Sequence, residues 1–415
     1  MAVKIAAPAP TAHAIDPAYG DDTRLTLAGR SPAAWHGFVN PPVFHASTVL
    51  SPTVKDMLQR TQPYIYGRRG TPTSDALEHA IVELEGGVGA VLCPSGLSAC
   101  TLALLSCLKP GDHVLVTASV YGPVRHACDG VLARLGIETT YYDPLAHASI
   151  ETLLRPQTRA LYVESPGSYT FEVQDVAALA RIGHAHGLTV LADNSWATPL
   201  FFRPHDHGVD LSIHAGTKYL VGHSDAMLGS VSATSAAWPA LKHLHGDLGL
   251  CVGPDDVYLA LRGLRTLGVR LRQHQQNALQ VAHWLKQRPE VQAVLHPAFD
   301  DCPGHDIWRR DFTGSSGLFS VILQPMPDVA LEALLDGLAL FGLGYSWGGF
   351  ESLVVPFELD AHRLDTRWPA GGRGVRLHVG LEDPDDLIAD LAAGFERCSH
   401  VMAHAETPKR STAAC

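Results

Sequence analysis

One lysine stands in an unusual setting within the segment SIHAGTKYLVGHSD, which runs from Ser212 to Asp225. Lys218 follows small and hydroxyl residues and precedes an apolar run, a context that predicts a crowded, half-buried turn. A lysine amine removed from water loses part of its preference for the charged form, and it can then act as a nucleophile or a base. A Thr-Lys pair by itself usually lies on the surface, so the interpretation depends on what accompanies Lys218.

Residues able to bind or react follow several of the predicted strands, at the point where each strand ends. Ser95-Gly96-Leu97 follows AVLC, Tyr121 follows HVLVTA, Glu164 follows ALYV and Asp193 follows LTVLA. Ligands of open α/β sheets bind beyond the carboxyl ends of the strands, so we expect these residues to converge with Lys218. A helix that begins at Gly96 would add backbone amides suited to an anion.

This combination of residue types fits the needs of pyridoxal phosphate (PLP). The cofactor requires a lysine for its Schiff base, an acid beside its pyridine nitrogen, a flat side chain against its ring and donors for its phosphate. Alone, Lys218, Asp193 and Tyr121 have ordinary interpretations as a surface lysine, a turn or helix cap, and a core aromatic. Together, in this order on strand ends, they favour a PLP site.

The elements that must position these residues are predicted to alternate between strands and helices from Tyr64 onward. Thr71-Pro72 predicts the start of a helix, and Gly86-Gly87 predicts its end. Short β-rich runs between helices favour right-handed βαβ units and a mainly parallel sheet that is covered on both faces.

A chain of 415 residues is too long for one ordinary domain. We predict an N-terminal arm (1–62), a large α/β domain (63–264), a smaller C-terminal α+β domain (265–403) and a disordered tail (404–415). The smaller domain is indicated by a long helical stretch, three strands and a closing amphipathic helix.

Composition excludes several classes of function. The net charge of −11 disfavours a nucleic acid or an anionic membrane as the main partner. Eight cysteines without a CxxC pair are typical of reduced thiols in a cytoplasmic protein, and neither a secretory segment nor an apolar run of ~20 residues is evident. His214, His223 and Asp225 match no standard metal spacing, so we expect no metal.

Several segments resemble the transsulfuration family of PLP-dependent enzymes, and within it the branch of bacterial cystathionine β-lyases. The segments are YIYGRRGTPT, PSGLSA, VYGP, ADNSWATPLF, TKYLVGHSDAMLG, YSWGGFESL and RLHVGLEDPDDLIADL. They follow the family's order and extend over about residues 24–400.

The resemblance implies a type I PLP-dependent transferase-like fold, with a mainly parallel seven-stranded sheet and the smaller C-terminal domain. It also implies a homotetramer of two tight dimers, with active sites shared between subunits and the N-terminal arm reaching the neighbour. By this resemblance, Lys218 would bind the cofactor covalently, Asp193 would pair with its pyridinium nitrogen and Tyr121 would stack on its ring. The cofactor phosphate would be bound by Gly96, Leu97 and Thr217, and the phosphate in the neighbouring subunit by Tyr66 and Arg68. The substrate carboxylate would be bound by Arg376, Ser346 and Trp347.

Arg376 has a compatible interpretation from the residues alone. It lies in the otherwise apolar segment GVRLHVG, where a guanidinium needs an anionic partner. A substrate carboxylate would provide one, and an internal Asp or Glu is the alternative. For Arg68, the adjacent Arg69 is an equally placed candidate.

Two positions depart from the pattern of many family members. Ala215 stands three positions before the lysine, where many members carry Ser, so one phosphate contact would be missing. Ser168 stands where many carry Asn in ESPxNP. Ser168 and Trp347 favour the β-lyase branch.

The resemblance therefore implies a PLP-dependent carbon–sulfur lyase that cleaves L-cystathionine by β-elimination to homocysteine, pyruvate and ammonia, in methionine biosynthesis by transsulfuration. Lys218 would act as the base and Tyr121 would help to deprotonate the incoming amine. The alternatives are a cystathionine γ-lyase or γ-synthase, an O-acetylhomoserine sulfhydrylase, a broader cysteine-S-conjugate β-lyase and a non-catalytic PLP-binding regulator. The regulator is disfavoured because it would need neither a base nor a carboxylate clamp.

Overall fold

A large sheet, a smaller sheet and the helices packed on them make up residues 15–16, 18–358 and 373–405, which the structure, a computed structural model, describes. The predicted tail lies outside these residues from position 406 onward. The strands of the large sheet are β1 (Gly89–Cys93), β2 (His113–Thr117), β3 (Glu138–Tyr142), β4 (Thr158–Glu164), β5 (Thr189–Asp193), β6 (Leu211–His214) and β7 (Gly229–Ala233). Those of the smaller sheet are β8 (Val291–Leu295), β9 (Leu318–Leu323), β10 (Gly342–Leu343), β11 (Leu353–Phe357) and β12 (Arg373–His378).

Helices pack on both sheets, and the first two along the chain lie within the predicted arm. They are α1 (Asp21–Leu27), α2 (Val54–Gln59), α3 (Pro72–Glu85), α4 (Gly96–Cys107), α5 (Gly122–Ala127), α6 (Val176–Ala185), α7 (Thr198–Phe201), α8 (Trp238–Leu248), α9 (Pro254–Leu264), α10 (Leu267–Leu285), α11 (His305–Asp311), α12 (Asp328–Leu335) and α13 (Pro384–Ala405). The predicted domain boundaries fall before α3 and between α9 and α10, and they stay predictions.

The large sheet is seven-stranded and mainly parallel, which confirms the predicted fold class. Its strand order is β1-β7-β6-β5-β4-β2-β3, and only β7 runs antiparallel to its neighbours β6 and β1. The residue pattern alone indicated β1 to β5 but missed β6 and β7. Their sequences, LSIH and GSVSA, contain small and polar residues that carry little strand signal.

Alternating residues of the central strands supply two separate cores, one on each face of the large sheet. In β2, Val114 and Val116 pack with the face that also contacts α4, whereas Leu115 packs with the opposite core. All five residues of this strand are buried. Such continuous burial is typical of a parallel sheet that is covered by helices on both faces.

The helix that precedes β1 begins and ends where its sequence predicts. Thr71 accepts a hydrogen bond from the Ser74 backbone while the Ser74 side chain accepts one from Thr71, which forms a capping box. Gly86 ends the helix at φ 87°, a left-handed conformation that favours glycine. The segment PVRHACDGVLARLG, from Pro123 to Gly136, also has a helical pattern, and there α5 continues into a wider π turn that a 3.6-residue pattern does not reveal.

The smaller sheet has the order β10-β11-β12-β9-β8 and shares a core with the large one. Strand β9 is buried along its whole length. Phe319 and Val321 pack against the C-terminal helices, whereas Leu318 and Ile322 belong to the core of the large sheet. This shared packing fixes β12, the neighbour of β9, relative to the rim of the large sheet.

A buried acid–base pair joins the end of α3 to the end of β6. Nε2 of His214 contacts Oε1 of Glu85, and the two residues are 2% and 1% exposed. Burial raises the pKa of Glu85, but attraction to His214 and the hydrogen bond from it outweigh burial, so the net pKa is lowered. The carboxylate form of Glu85 therefore stabilises the fold.

We expect Glu85→Gln to lower the free energy of unfolding at pH 7 by about 3–5 kcal/mol, because the substitution breaks a buried pair without changing its volume. A carboxyl group with a lowered pKa in the folded state contributes stability above its unfolded value of 4.5 and loses it as the pH falls. The difference between wild type and variant should therefore shrink below that pH in urea unfolding.

The matched control is Glu138→Gln, because Glu138 forms an exposed pair with Arg155. It should change the free energy of unfolding by less than about 1 kcal/mol. A difference between Glu85→Gln and wild type that stays constant down to acid pH would contradict the prediction.

Candidate active site

A cavity of about 460 Å³ opens where the carboxyl ends of the large sheet face β12 and the loop before β11. All of the residues predicted for the site line it, except Tyr66 and Arg68. They are Gly96, Leu97, Tyr121, Asp193, Thr217, Lys218, Ser346, Trp347 and Arg376. Residues separated by up to 280 positions in sequence thus face one space.

The N-terminus of α4 forms one wall of this cavity. Ser95 caps the helix by accepting a hydrogen bond from the Ser98 backbone, and the amides of Gly96 and Leu97 lie in the first turn, where a helix offers them no acceptor. A Cβ at Gly96 would lie 2.5 Å from Cβ of Ala215, so only glycine fits this close approach. The resulting cradle of amides suits a phosphate.

Thr217 lies at the same wall, but its hydroxyl has internal partners. The hydroxyl donates to the Leu228 carbonyl at 3.1 Å and accepts from the Leu228 amide at 2.9 Å. These bonds fix the turn that leads into Lys218. The predicted role of Thr217 in phosphate binding stays a prediction.

Asp193 ends β5 and is held from two sides. Its Oδ1 accepts hydrogen bonds from the backbone amide and the hydroxyl of Ser195, at 2.9 and 2.6 Å. The Ser195 hydroxyl in turn accepts from the amide of Ala215 at 2.7 Å. Oδ2 lies 3.7 Å from Sγ of Cys100. These contacts fix the carboxylate in the cavity. Oδ1 accepts two hydrogen bonds, whereas Oδ2 has the longer contact with the Cys100 thiol.

Ser195 and Cys100 were not among the predicted site residues. A serine two positions after a strand-end aspartate is a recognisable turn signal and could have indicated Ser195. Cys100 gave no such signal, because its approach to Asp193 depends on the packing of α4 against β5.

Lys218 is half-buried at the centre of the cavity. Its Nζ donates to the hydroxyl of Ser346 at 2.6 Å and lies 5.3 Å from the ring centroid of Trp347. Burial and the nearby charge of Arg376 lower the pKa of Lys218 to about 8, and attraction to Asp193 offsets part of that shift. The amine is thus a stronger nucleophile and base near neutral pH than an exposed lysine would be.

Arg376 projects from β12 and is only 6% exposed. It donates to the Ser346 carbonyl at 3.2 Å, and its guanidinium carbon lies 5.2 Å from the ring centroid of Tyr169. Within the ranges that the structure describes, Arg376 forms no ion pair with an Asp or Glu. The internal salt bridge considered from sequence is therefore absent there, and the guanidinium is available for an anionic ligand.

Tyr121 directly precedes α5, lines the cavity and is 42% exposed. Its backbone amide donates to Oε2 of Glu164 at 2.7 Å, which fixes the start of the helix. Burial raises the pKa of Tyr121, and Arg376 opposes this shift. A neutral phenol suits stacking on a ring, and its second role, as a base for the incoming amine, stays a prediction.

Tyr66 and Arg68 lie elsewhere. Both line a separate cavity of about 290 Å³, together with Arg69. Arg68 donates to the Gly246 carbonyl at 3.0 Å. The structure of a single chain therefore does not bring these two residues to Lys218.

The residues in the main cavity fit PLP. They comprise a lysine with a lowered pKa, a fixed carboxylate, an aromatic ring and a helix N-terminus at which only glycine fits against Ala215. Among the described residues, no group of three His, Cys, Asp or Glu side chains could hold a metal ion, and no helix is long and apolar enough to cross a membrane.

Comparisons with known proteins agree with this cofactor. A family model described as Cys/Met metabolism PLP-dependent enzyme matches residues 22–396. Cystathionine beta-lyase MetC of Escherichia coli is 44% identical over 91% of this chain and 98% of its own length. The L-alanine/L-glutamate racemase of Wolbachia pipientis is 38% identical over 91% of this chain and 97% of its own length.

A solved structure shares the fold as well. The cystathionine gamma synthase of Xanthomonas oryzae pv. oryzae, in complex with aminoacrylate and cysteine, superposes with a TM-score of 0.85. It is 31% identical in sequence, and the match covers 92% of this chain and 99% of that chain.

The environment of Lys218 generates a prediction for protein prepared without cofactor. Acylation of Lys218 by acetic anhydride, followed by peptide mapping, should show a midpoint at about pH 8 instead of 10.5. Arg376→Gln should raise this midpoint because it removes a like charge, and Asp193→Asn should lower it because it removes an attraction. A midpoint near 10.5 in the wild-type protein would show that the amine is not desolvated.

Proposed function

The chain belongs to the Cys/Met metabolism family of PLP-dependent enzymes, and from this premise we propose that it cleaves L-cystathionine by β-elimination. The products are homocysteine, pyruvate and ammonia. The observation that carries the proposal is that Lys218 and Arg376 line one cavity and that both of them contact Ser346. That arrangement supports a role for Lys218 as a base beside a guanidinium suited to the carboxylate of an amino-acid substrate.

The residues that would hold the cofactor follow from the geometry. Lys218 would bind it covalently through Nζ, and Asp193 would keep its ring nitrogen protonated. Tyr121 would cover one face of the ring, and the amides of Gly96 and Leu97 would hold the phosphate. When bound, PLP withdraws electrons from the substrate carbon next to the amino group.

The chain's own residues perform the binding and the proton transfers. Arg376 and Ser346 hold the substrate carboxylate and thereby point the Cα–H bond at Lys218. Nζ of Lys218 takes the proton from Cα and then gives it to the sulfur that leaves with the electrons of the Cβ–S bond. Water converts the remaining three-carbon fragment to pyruvate and ammonia, so the reaction consumes one water overall.

A second course is open after the proton leaves Cα. Delivery of a proton to the opposite face of Cα, by a donor other than Lys218, would be racemization, the activity in the name of the Wolbachia relative. L-Cystathionine carries a thiolate leaving group at Cβ, whereas L-alanine carries none. The lyase and racemase reactions can therefore be distinguished by the substrate that is supplied. We propose the lyase as the main activity, because the Escherichia coli relative named for it is more similar.

Incubation with L-cystathionine should yield pyruvate and homocysteine in equal amounts. Appearance of 2-oxobutyrate and cysteine would instead indicate γ-elimination, and faster turnover of other thioethers would indicate a broader β-lyase. L-Alanine should be converted to its D-form far more slowly than pyruvate is formed. Absence of any turnover would support the non-catalytic regulator and overturn the proposal.

Lys218→Ala should lower kcat by a factor of about 10³ or more, because it removes the base. Borohydride reduction of the wild-type protein should fix the cofactor on the peptide that contains Lys218. Lys109→Ala is the control, since Lys109 is exposed and does not line the cavity. Adduct on any other lysine peptide would contradict the assignment.

We further propose that the protein is a cytoplasmic homotetramer whose active sites lie between subunits. Seven free thiols in the described residues are compatible with a reducing compartment. Apolar side chains are exposed along the arm, at Phe38, Val39, Phe44, Leu50, Val54, Met57 and Leu58, and just beyond it at Ile65 and Tyr66. A second copy that covers this surface would also bring a partner's arm to each cavity.

Shared sites predict complementation between two inactive variants, Lys218→Ala and Arg68→Ala. In a mixed dimer, one site carries both substitutions and the other carries neither. Refolding an equal mixture should therefore restore about a quarter of the wild-type activity if subunits combine at random. An equal mixture that remains as inactive as its components would show that each chain completes its own site.

A further inference from the structure

The loop between β10 and β11, residues 344–349, carries Ser346 and Trp347 into the cavity and has an irregular backbone. Ser346 has φ 82° and Gly348 has φ 88°, both in the left-handed region. A serine in this conformation persists only where surrounding contacts fix it. Surrounding residues must therefore hold the loop in place.

The loop lies directly on the backbone of the cofactor lysine. A Cβ at Gly348 would lie 2.9 Å from the carbonyl carbon of Lys218 and from the amide nitrogen of Tyr219. No side chain fits there, so the loop can approach only through glycine. Small displacements of Gly348 would move Ser346 relative to Lys218, because only one residue separates them.

His378, the last residue of β12, contacts Gly348. Its Nε2 lies 3.1 Å from the amide nitrogen of Gly348 and 3.1 Å from the carbonyl oxygen of Gly349. The ring is 1% exposed and does not line the cavity. One tautomer accepts from the Gly348 amide, and the other donates to the Gly349 carbonyl. Burial and the neighbouring His274 lower the pKa of His378 well below 6.5, so the ring is neutral at physiological pH.

Strand β12 places His378 beside the substrate clamp. Arg376 and His378 are two residues apart, so their side chains lie on the same face of the strand. The intervening Leu377 packs into the opposite core. Arg376 donates to the Ser346 carbonyl, while Nε2 of His378 bonds either the Gly348 amide or the Gly349 carbonyl, so one strand fixes the loop at two points.

We propose that His378 is a positioning residue that fixes loop 344–349 against Lys218, so that Ser346 and Arg376 form one preformed site for the substrate carboxylate. This inference rests on the proposed function for the identity of the ligand. It does not depend on that function for the contact between His378 and the loop.

Hydrogen exchange of the cofactor-free protein tests the contact without any substrate. In His378→Leu, the peptide that contains Gly348 should exchange about tenfold faster than in wild type, because one buried hydrogen bond is lost. His378→Gln should restore slow exchange, since its amide reaches about as far as Nε2. The control is His274→Leu, because His274 is also buried and its ring centroid lies 5.2 Å from that of His378, but it bonds the Val379 carbonyl instead.

Kinetics with L-cystathionine test the consequence for binding. His378→Leu should raise KM about tenfold with kcat within about twofold, because the carboxylate site loosens while the base remains. If this variant does not fold, His378→Asn replaces it, because its amide is shorter. Unchanged exchange at Gly348 in the variant, or an equal increase in His274→Leu, would overturn the proposal. Absence of lyase activity with altered exchange would instead count against the proposed function alone.

Discussion

Removal of the Lys218 amine from water, next to the guanidinium of Arg376, is the constraint on which the site depends. Burial disfavours the ammonium form, and the second positive charge adds to this effect, so the pKa falls to about 8. Asp193 attracts the ammonium and limits the shift. An amine with a lowered pKa, a carboxylate and a guanidinium therefore lie within one cavity.

These charges meet because two sheets share a core. Asp193 comes from the rim of the large sheet, and Arg376 comes from a strand of the smaller one. Leu318 and Ile322 of β9 pack into the core of the large sheet and thereby fix the distance between the two rims. A change in the packing of β9 would separate Lys218 from Arg376 without altering either residue.

Fixed hydrogen bonds hold the reactive groups before any ligand binds. Ser195 joins Asp193 to Ala215, and Thr217 joins the lysine turn to Leu228. Both networks consist of backbone and short side chains, which lose little conformational entropy when they are ordered. Such preorganisation is what an enzyme requires of groups that must stabilise charge as it develops.

The sequence by itself determined which residue types stand at the ends of the strands, because parallel strands meet at one rim and a turn signal can be read locally. It also indicated the helix start at Thr71 and the need of Arg376 for an anionic partner. It did not indicate β6 and β7, whose short polar sequences form strands only through their neighbours. Only the tertiary structure decided the contact of Cys100 with Asp193 and of His378 with Gly348. Those contacts join segments that are far apart in the chain, and packing between elements has no local signature.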